Sequence, residues 1–220
     1  MKKTKYDSFN AYMLRGAGFT EKWEMPIIEN VPLSIPVELV LFSEMQRAKT
    51  CDAWVHFYTD DRRFKSIWTA PTKHLSQLRR FKGAISPDFS VYNDMPLAMQ
   101  IYGVFQNRAV AYWLSTQGIP VIPNVRWGDK RSYDFCFDGL PSNSVVAVGT
   151  NGCLRNADDR MLFRSGLDEM CQRLSPAHIL VYGPAPDDMF QKHIESGINV
   201  VQYPSEIRRV HEREAKAGVN

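Results

Sequence analysis

Acidic and basic side chains follow several apolar segments of this chain at the points where those segments end. Asp60 and Asp61 come directly after one such segment, and Asp88 and Arg126 follow two later ones. Neighbouring carboxylates can hold Mg²⁺ or Mn²⁺, or act as general acid and base. A guanidinium can bind a phosphate through two hydrogen bonds. We therefore predict Asp60, Asp61 and Asp88 as catalytic residues, with Asp60 and Asp88 as ligands of a Mg²⁺ or Mn²⁺ cofactor.

Further polar and aromatic side chains at segment ends extend this predicted site. The predicted ligand-binding residues are Asn124, Arg126, Trp127, Thr150, Asn151 and Tyr182. Arg126 and Asn124 would orient a phosphate, because both carry donors suited to its oxygens. Trp127 would stack on a base or a sugar.

The same side chains also have structural interpretations. The aspartates at 60 and 61 could pair on the surface with the two arginines that follow them. Asp88 follows a proline and could form an Asx turn or a helix cap. Arg126 could pair with a structural aspartate rather than a ligand.

Other kinds of site are disfavoured by spacing. No two of the four cysteines lie closer than 17 residues, so no C-x-x-C motif occurs. No histidine or cysteine cluster has the spacing of zinc ligands. The first residues, MKKTKYDSFNAY, lack the apolar core of a signal peptide, and no segment approaches the length of a membrane span. We expect a cytoplasmic protein with reduced thiols and no membrane partner.

Strands and helices alternate along most of the chain. Strands are predicted at 37–42, 54–58, 119–127, 144–148, 178–183 and 198–203. Helices are predicted at 72–82, 96–117, 158–174, 187–197 and 205–216. The strands are nearly continuous apolar runs, as is typical of strands covered on both faces in a parallel sheet.

This alternation predicts an α/β fold with a parallel sheet. A TIM-barrel-like arrangement, including an incomplete barrel because fewer than eight strands are found, is our preferred interpretation. An open doubly wound sheet is the alternative, without a dinucleotide site because no G-x-G-x-x-G follows the first strand. Residues 1–35 read as an irregular extension and residues 36–220 as one domain. Ligands of such folds bind at the carboxyl ends of the strands, where the predicted site lies.

Composition narrows the choice of partner. Lys and Arg number 27 and Asp and Glu number 24, a net charge of +3 that is too even for a dedicated nucleic-acid wrapper or a polybasic membrane binder. Aromatic residues make up 12% of the chain. The basic residues of helices 72–82 and 205–216 are interpreted as solvated outer faces.

Several motifs together resemble a known family. The motifs are HFYTDD at 56–61, SPDFS at 86–90, DMP at 94–96, VIPNVRW at 121–127 and FCFDG at 135–139. They resemble, over roughly residues 36–205, the family of bacteria, phages and mobile elements called domain of unknown function 4417. The resemblance implies a phage or mobile-element setting, in which nucleic-acid processing and interference with host defence are common roles.

Two functions are compatible with these features. The first is action on, or binding of, a phosphate-containing ligand, a nucleotide or a nucleic acid, at the strand ends. The alternative is a non-catalytic protein that sequesters a ligand or inhibits a host defence protein. A concave pocket shared by Asp60, Asp88 and Arg126 would favour the first, and an exposed aromatic patch without such a pocket would favour the second.

Overall fold

Seven parallel strands form the frame of the protein. The structure is a computed structural model that describes residues 9–29, 31 and 33–205. The strands are β1 (Leu39–Leu41), β2 (Trp54–His56), β3 (Gly83–Ile85), β4 (Val121–Ile122), β5 (Val145–Gly149), β6 (His178–Tyr182) and β7 (Asn199–Tyr203). The first four form one sheet and the last three another, all paired parallel and in chain order. Two backbone hydrogen bonds of Ala147, from Val125 N and to Pro123 O, join the sheets.

Helices connect the strands. They are α1 (Asp61–Phe64), α2 (Ser66–Thr69), α3 (Leu75–Leu78), α4 (Leu97–Thr116), α5 (Tyr133–Cys136), α6 (Ala157–Leu174) and α7 (Asp187–Glu195). The start of α6 shows why these boundaries form. The Asn156 side chain accepts a hydrogen bond from Asp159 N at 2.9 Å, and acidic residues in the first turn complement the helix dipole. No helix of the described segments is both long and apolar enough to cross a membrane.

Strand side chains alternate between an inner and an outer face. One inner cluster draws on every strand, with Leu39, Trp54, Ile85, Ile122, Val145, Leu180 and Tyr203 among its members. The intervening residues, such as Val55, Val146 and Ile179, belong to two other clusters that pack against the helices. This is the two-residue period of extended chain. The strands therefore surround a shared interior.

The structure confirms the α/β class and the parallel strands. Within the described residues no closed barrel forms, because no strand pairing joins β7 to β1. A single side-chain bond spans this gap, from Tyr203 Oη to Pro36 O. The arrangement is compatible with both an incomplete barrel and an open wound sheet.

Prolines and polar caps account for the main differences from the predicted elements. Within the predicted strand 119–127 the regular strand is limited to β4, and an isolated parallel bridge from Asn124 to Ala147 follows it. Pro120 and Pro123 lack the N–H that a continuous ladder needs. The predicted helix 72–82 is divided into a 3-10 turn, Pro71–His74, and α3. The predicted final helix, 205–216, lies outside the described residues apart from Ser205.

The extension predicted as irregular contributes to the core. Between residues 9 and 35 its described part contains one short 3-10 helix, Ala11–Leu14. Met13, Met25 and Ile28 are buried in the two outer clusters. Ile28 N also donates a hydrogen bond to Gly139 O at 2.8 Å.

Candidate active site

A polar cleft of about 410 Å³ lies at the carboxyl ends of the strands. Six predicted site residues line it, namely Asp60, Asp61, Asp88, Arg126, Asn151 and Tyr182. Tyr58, Ser90 and Tyr92 are among the other lining residues. The parallel order of the strands explains this convergence, because their carboxyl ends share one edge.

Asp88 and Arg126 lie next to each other in the wall of the cleft. Arg126 Nη1 lies 3.8 Å from Asp88 Oδ2. Asn124 Nδ2 donates a hydrogen bond of 2.8 Å to the other oxygen, Oδ1, of Asp88. The Asn124 side-chain oxygen in turn accepts a hydrogen bond of 2.9 Å from Tyr58 Oη. Asn124 is fully buried, so it fixes both the carboxylate and the phenol from behind the cleft surface.

The guanidinium of Arg126 keeps donors available for a ligand. Its side chain is 19% exposed, and among the described residues no oxygen accepts a hydrogen bond from it. Burial opposes its positive charge, but the neighbouring Asp88 favours that charge, and the pKa of Arg126 is raised above its usual value. Arg126 is therefore a cation at neutral pH that lines the cleft and also lies within hydrogen-bonding reach of the Cys153 thiol.

The pKa values of two carboxyl groups of the cleft, Asp88 and Asp60, are shifted in opposite directions. Burial raises the pKa of Asp88, although Arg126 and the hydrogen bond from Asn124 act in the other direction. The hydrogen bonds from Arg62 lower the pKa of Asp60 to about 2. Asp60 caps α1 by accepting a bond from Arg62 N at 2.9 Å, and it pairs with the Arg62 side chain at 2.8 Å. The structural interpretation of Asp60 is therefore confirmed, while Asp88 is the buried carboxyl of the site.

Asp61 orders the loop that follows β3. Its carboxylate accepts hydrogen bonds from Ser90 N at 3.1 Å and from Ser90 Oγ at 2.9 Å. Ser90 Oγ also lies 3.1 Å from Tyr92 Oη. Because Asp61 is the first residue of α1, it links that helix to the opposite rim of the cleft.

Aromatic rings form another wall of the cleft. The rings of Tyr58 and Tyr182 are stacked with centroids 4.8 Å apart, and the ring of His56 lies 4.5 Å from that of Tyr182. A side chain at Gly149 would place Cβ only 2.8 Å from the Tyr58 ring, so glycine makes room for this stack. Burial raises the pKa of Tyr58 well above its usual value, and the phenol stays neutral.

With this geometry established, comparison with known proteins gives the chain a family. The model of the domain of unknown function DUF4417 matches residues 17–204. The chain belongs to the DUF4417 family. No solved structure shows a significant match to it.

Two curated relatives of this DUF4417 chain are encoded by phages. It is 40% identical over 130 residues to the Gene 1 protein of Mycobacterium phage D29, covering 59% of this chain and 48% of the relative. It is 41% identical over 130 residues to the Gene 1 protein of Mycobacterium phage L5, covering 59% and 56%. The chain spans about half the length of these relatives. The protein is thus related to phage proteins, as the resemblance implied.

Three predicted site residues of the DUF4417 chain do not line the cleft. Asn124 lies behind Asp88, as described. Thr150 is 1% exposed, and its hydroxyl donates to Pro184 O at 2.7 Å. Trp127 packs against Phe163, with ring centroids 5.2 Å apart, and lines an adjoining cavity of about 100 Å³ that shares Tyr92, Arg126 and Gly149 with the cleft. Trp127 therefore does not offer its ring to the cleft, since it lies one residue out of phase with Arg126.

A buried polar network supports the site, and sequence reasoning missed it. Arg108 of α4 donates to Cys136 O at 2.6 Å, to Asp138 O at 3.0 Å and to Asn107 Oδ1 at 2.6 Å. Asn107 Nδ2 donates to Pro87 O at 2.6 Å and to Asn124 O at 3.2 Å. Burial lowers the pKa of Arg108 to about 10. The available signal was an Asn-Arg pair inside an apolar helix.

The predicted metal ligands have different partners. Asp60 is bound by Arg62, whereas Asp88 faces Arg126 and Asn124. Within the described ranges no group of three or more His, Cys, Asp or Glu side chains is arranged to hold a metal ion. A Mg²⁺ or Mn²⁺ ion would therefore depend on oxygens from a ligand or water, and the metal stays a prediction.

Proposed function

We propose that the cleft binds a phosphate-containing ligand, a nucleotide or a nucleic acid, and that Arg126 binds the phosphate. The observation that carries this proposal is the state of Arg126. It is a mostly buried cation whose ion pair with Asp88, at 3.8 Å, is longer than a direct hydrogen bond. Two oxygens of a phosphate could accept hydrogen bonds from this guanidinium in a bidentate contact.

Neighbouring side chains supply further contacts for such a ligand. Tyr92 is 50% exposed at the rim and offers an aromatic face to a base or sugar, the role that the sequence assigned to Trp127. Asn151 is exposed on the other side of the cleft and carries both a donor and an acceptor. Asp88, whose pKa is raised by burial, is suited to exchange a proton if the ligand is a substrate.

The three carboxyl groups of the cleft limit how an anion can bind. Asp60 is neutralised by Arg62, and Asp88 lies beside Arg126. Asp61 accepts hydrogen bonds from Ser90 and also lines the cleft. A Mg²⁺ or Mn²⁺ ion shared between a carboxylate and the phosphate would offset the repulsion. We therefore expect divalent cations to strengthen binding.

The alternative, a non-catalytic protein that inhibits a host protein, is supported by exposed apolar side chains. Met99 and Tyr102 on α4 are 54% and 50% exposed. Against this, Asp60, Asp88 and Arg126 line one concave cleft, as the ligand hypothesis predicts. The related phage proteins are compatible with both roles, so the cleft geometry decides our preference.

Titration calorimetry tests the proposal. The wild-type chain is titrated with inorganic phosphate and with a panel of mononucleotides, each with and without Mg²⁺ or Mn²⁺. Arg126→Ala should weaken the binding of the best ligand about 10- to 100-fold, the effect of losing a charged hydrogen-bonding partner. Arg164→Ala is the matched control, because that arginine pairs with Asp188 on the helix layer. Equal binding by wild type and Arg126→Ala would contradict the proposal, as would an absence of binding to every ligand.

A further inference from the structure

The connection from β2 to β3 carries a one-sided charge. Residues 62–82 contain seven Lys or Arg residues and no Asp or Glu, whereas the whole chain has a net charge of only +3. The rest of the chain is therefore net negative. The sequence alone suggested a solvated face, and the structure shows which of these charged side chains are exposed and which are paired.

All seven cations of this connection are exposed, and they extend from α1, after the carboxyl end of β2, to Lys82, before the amino end of β3. Phe64, Ile67 and Leu78 are fully buried and attach the segment to the core. The exposed cations are Arg62, Arg63, Lys65, Lys73, Arg79, Arg80 and Lys82. We call these seven residues the basic surface.

Most of the basic surface has no ion-pair partner among residues 9–29, 31 and 33–205. In the described part of the chain only Arg62 and Lys82 pair with a carboxylate, at 2.8 Å and 3.3 Å. Lys65, Lys73 and Arg80 make no ion pair with any described residue.

Helices α6 and α7 show the opposite pattern. All four of their Lys and Arg residues pair with acids on the same two helices: Arg160 and Arg164 with Asp188, Arg173 with Glu169, and Lys192 with Asp168. The fold therefore pairs the Lys and Arg side chains of α6 and α7 with carboxylates. Most of those on the basic surface have no such partner among the described residues. A run of exposed cations with few carboxylate partners is suited to a polyanion.

The basic surface is continuous with the cleft. Asp60 caps α1, and Asp61, the first residue of α1, lines the cleft. Arg62 and Arg63 follow directly in the same helical turn. A chain of phosphates that crosses the basic surface would therefore arrive at the rim where Asp61 and Ser90 meet.

We propose that the basic surface binds the sugar-phosphate backbone of a nucleic acid strand, one phosphate of which enters the cleft. This inference rests on the proposed function and narrows its substrate class from any phosphate-containing ligand to a nucleic acid. Lys and Arg contacts to successive phosphates release counterions, which makes affinity depend strongly on salt. Such contacts position a strand without selecting its sequence.

Fluorescence anisotropy with a labelled DNA or RNA strand of mixed sequence tests this inference over a series of salt concentrations. The triple variant K65Q/K73Q/R80Q removes three cations that have no described ion-pair partner. We expect it to bind at least about 10-fold more weakly at low salt and to reduce the salt slope by about 2 to 3. The control R160Q/R164Q/K192Q changes net charge equally on α6 and α7, and it should bind within about twofold of wild type. Equal affinity in the K65Q/K73Q/R80Q variant and wild type, or equal weakening in both triple variants, would overturn the proposal.

A second pair of measurements separates the two proposals. The K65Q/K73Q/R80Q variant should bind mononucleotides as wild type does, while Arg126→Ala should lose both mononucleotide and strand affinity. If Arg126→Ala loses mononucleotides but strand binding ignores the basic surface, this inference is wrong and the proposed function stands. If strands bind through the basic surface and Arg126 matters for neither ligand, the cleft assignment is wrong. Displacement of the strand by an equal charge concentration of polyglutamate would indicate an acidic protein partner and would also overturn the inference.

Discussion

The residues that follow β2 and β4 alternate between an inner face, where the cleft lies, and an outer face packed against the helices. After β4, Asn124 and Arg126 lie on the inner face, where Arg126 lines the cleft and Asn124 supports Asp88 from behind, whereas Val125 and Trp127 are buried against the helix layer. After β2, Tyr58 faces the cleft while Phe57 is fully buried among outer apolar side chains. Residue type alone predicts neither outcome, because Trp127 and Tyr58 are both aromatic. Position in the two-residue period separates the residues that pack in the outer core from those on the inner face, where the cleft lies.

The largest effect should come from removing the outward aromatic residue. Trp127→Ala deletes a buried indole packed against Phe163 and Phe137, and we expect it to lower the free energy of unfolding by about 3–5 kcal/mol. Urea denaturation measures the loss. Met161→Ala on α6 is the control, since that side chain is 61% exposed and its removal should cost under about 0.5 kcal/mol. A Trp127→Ala variant of nearly wild-type stability would show that the indole is not a core residue.

The partner of that indole offers a second test. A Cβ at Gly166 of α6 would overlap the Trp127 indole, so Gly166→Ala should cost about 1–3 kcal/mol by overpacking. The cost should vanish in a Trp127→Ala background, where the added methyl group meets a cavity. A double-mutant cycle by urea denaturation checks this coupling. Additive losses would mean that the two residues are not in contact.

Asn124 lies on the inner face but does not line the cleft, and its removal should have an intermediate effect. Asn124→Ala leaves Asp88 Oδ1 and Tyr58 Oη without their described partner, which we expect to cost about 1–3 kcal/mol. The pKa of Asp88 should rise further, because the bond from Asn124 lowers it. Carboxyl NMR titration and urea denaturation measure the two effects. Asn151→Ala, at an exposed position, should change neither stability nor the Asp88 titration.

The smallest effects should appear in pH dependence, with opposite signs for two aspartates. Burial raises the folded-state pKa of Asp88 above 3.8, so its contribution to stability is full below that pH and is lost as pH rises through the folded pKa. Hydrogen bonds from Arg62 lower the pKa of Asp60 to about 2 from 3.8, so its contribution is present above 3.8 and lost as pH falls through about 2. Relative to wild type, Asp88→Asn should therefore gain stability as pH rises through the folded pKa of Asp88. Relative to wild type, Asp60→Asn should gain stability as pH falls from 3.8 to about 2. Urea denaturation across acidic pH measures both, and shifts of the same sign would contradict the contrast.

The sequence predicts part of this division between inner and outer residues, and part of it depends on the fold. The rule that ligands bind at strand carboxyl ends located Asp88 and Arg126 correctly in the cleft. Counting in steps of two from the buried strand residue Ile122 would have placed Arg126 inward and Trp127 outward.

Other parts of the site depend on tertiary contacts between distant segments. Asp61 meets Ser90 across 29 residues, and Arg108 reaches the carbonyl of Cys136 across 28. No local pattern encodes such pairs. The open cations of residues 62–82 were visible in the sequence, but their lack of partners became evident only from the ion pairs of the fold.

The most direct test compares the nucleotide affinities of two neighbouring variants by titration calorimetry. Arg126→Ala alters the inward residue, and Trp127→Phe alters the outward residue while keeping an aromatic core. We predict that Arg126→Ala weakens binding about 10- to 100-fold and that Trp127→Phe stays within about twofold of wild type. Loss of affinity in Trp127→Phe with full affinity in Arg126→Ala would contradict the assignment of the cleft as the ligand site.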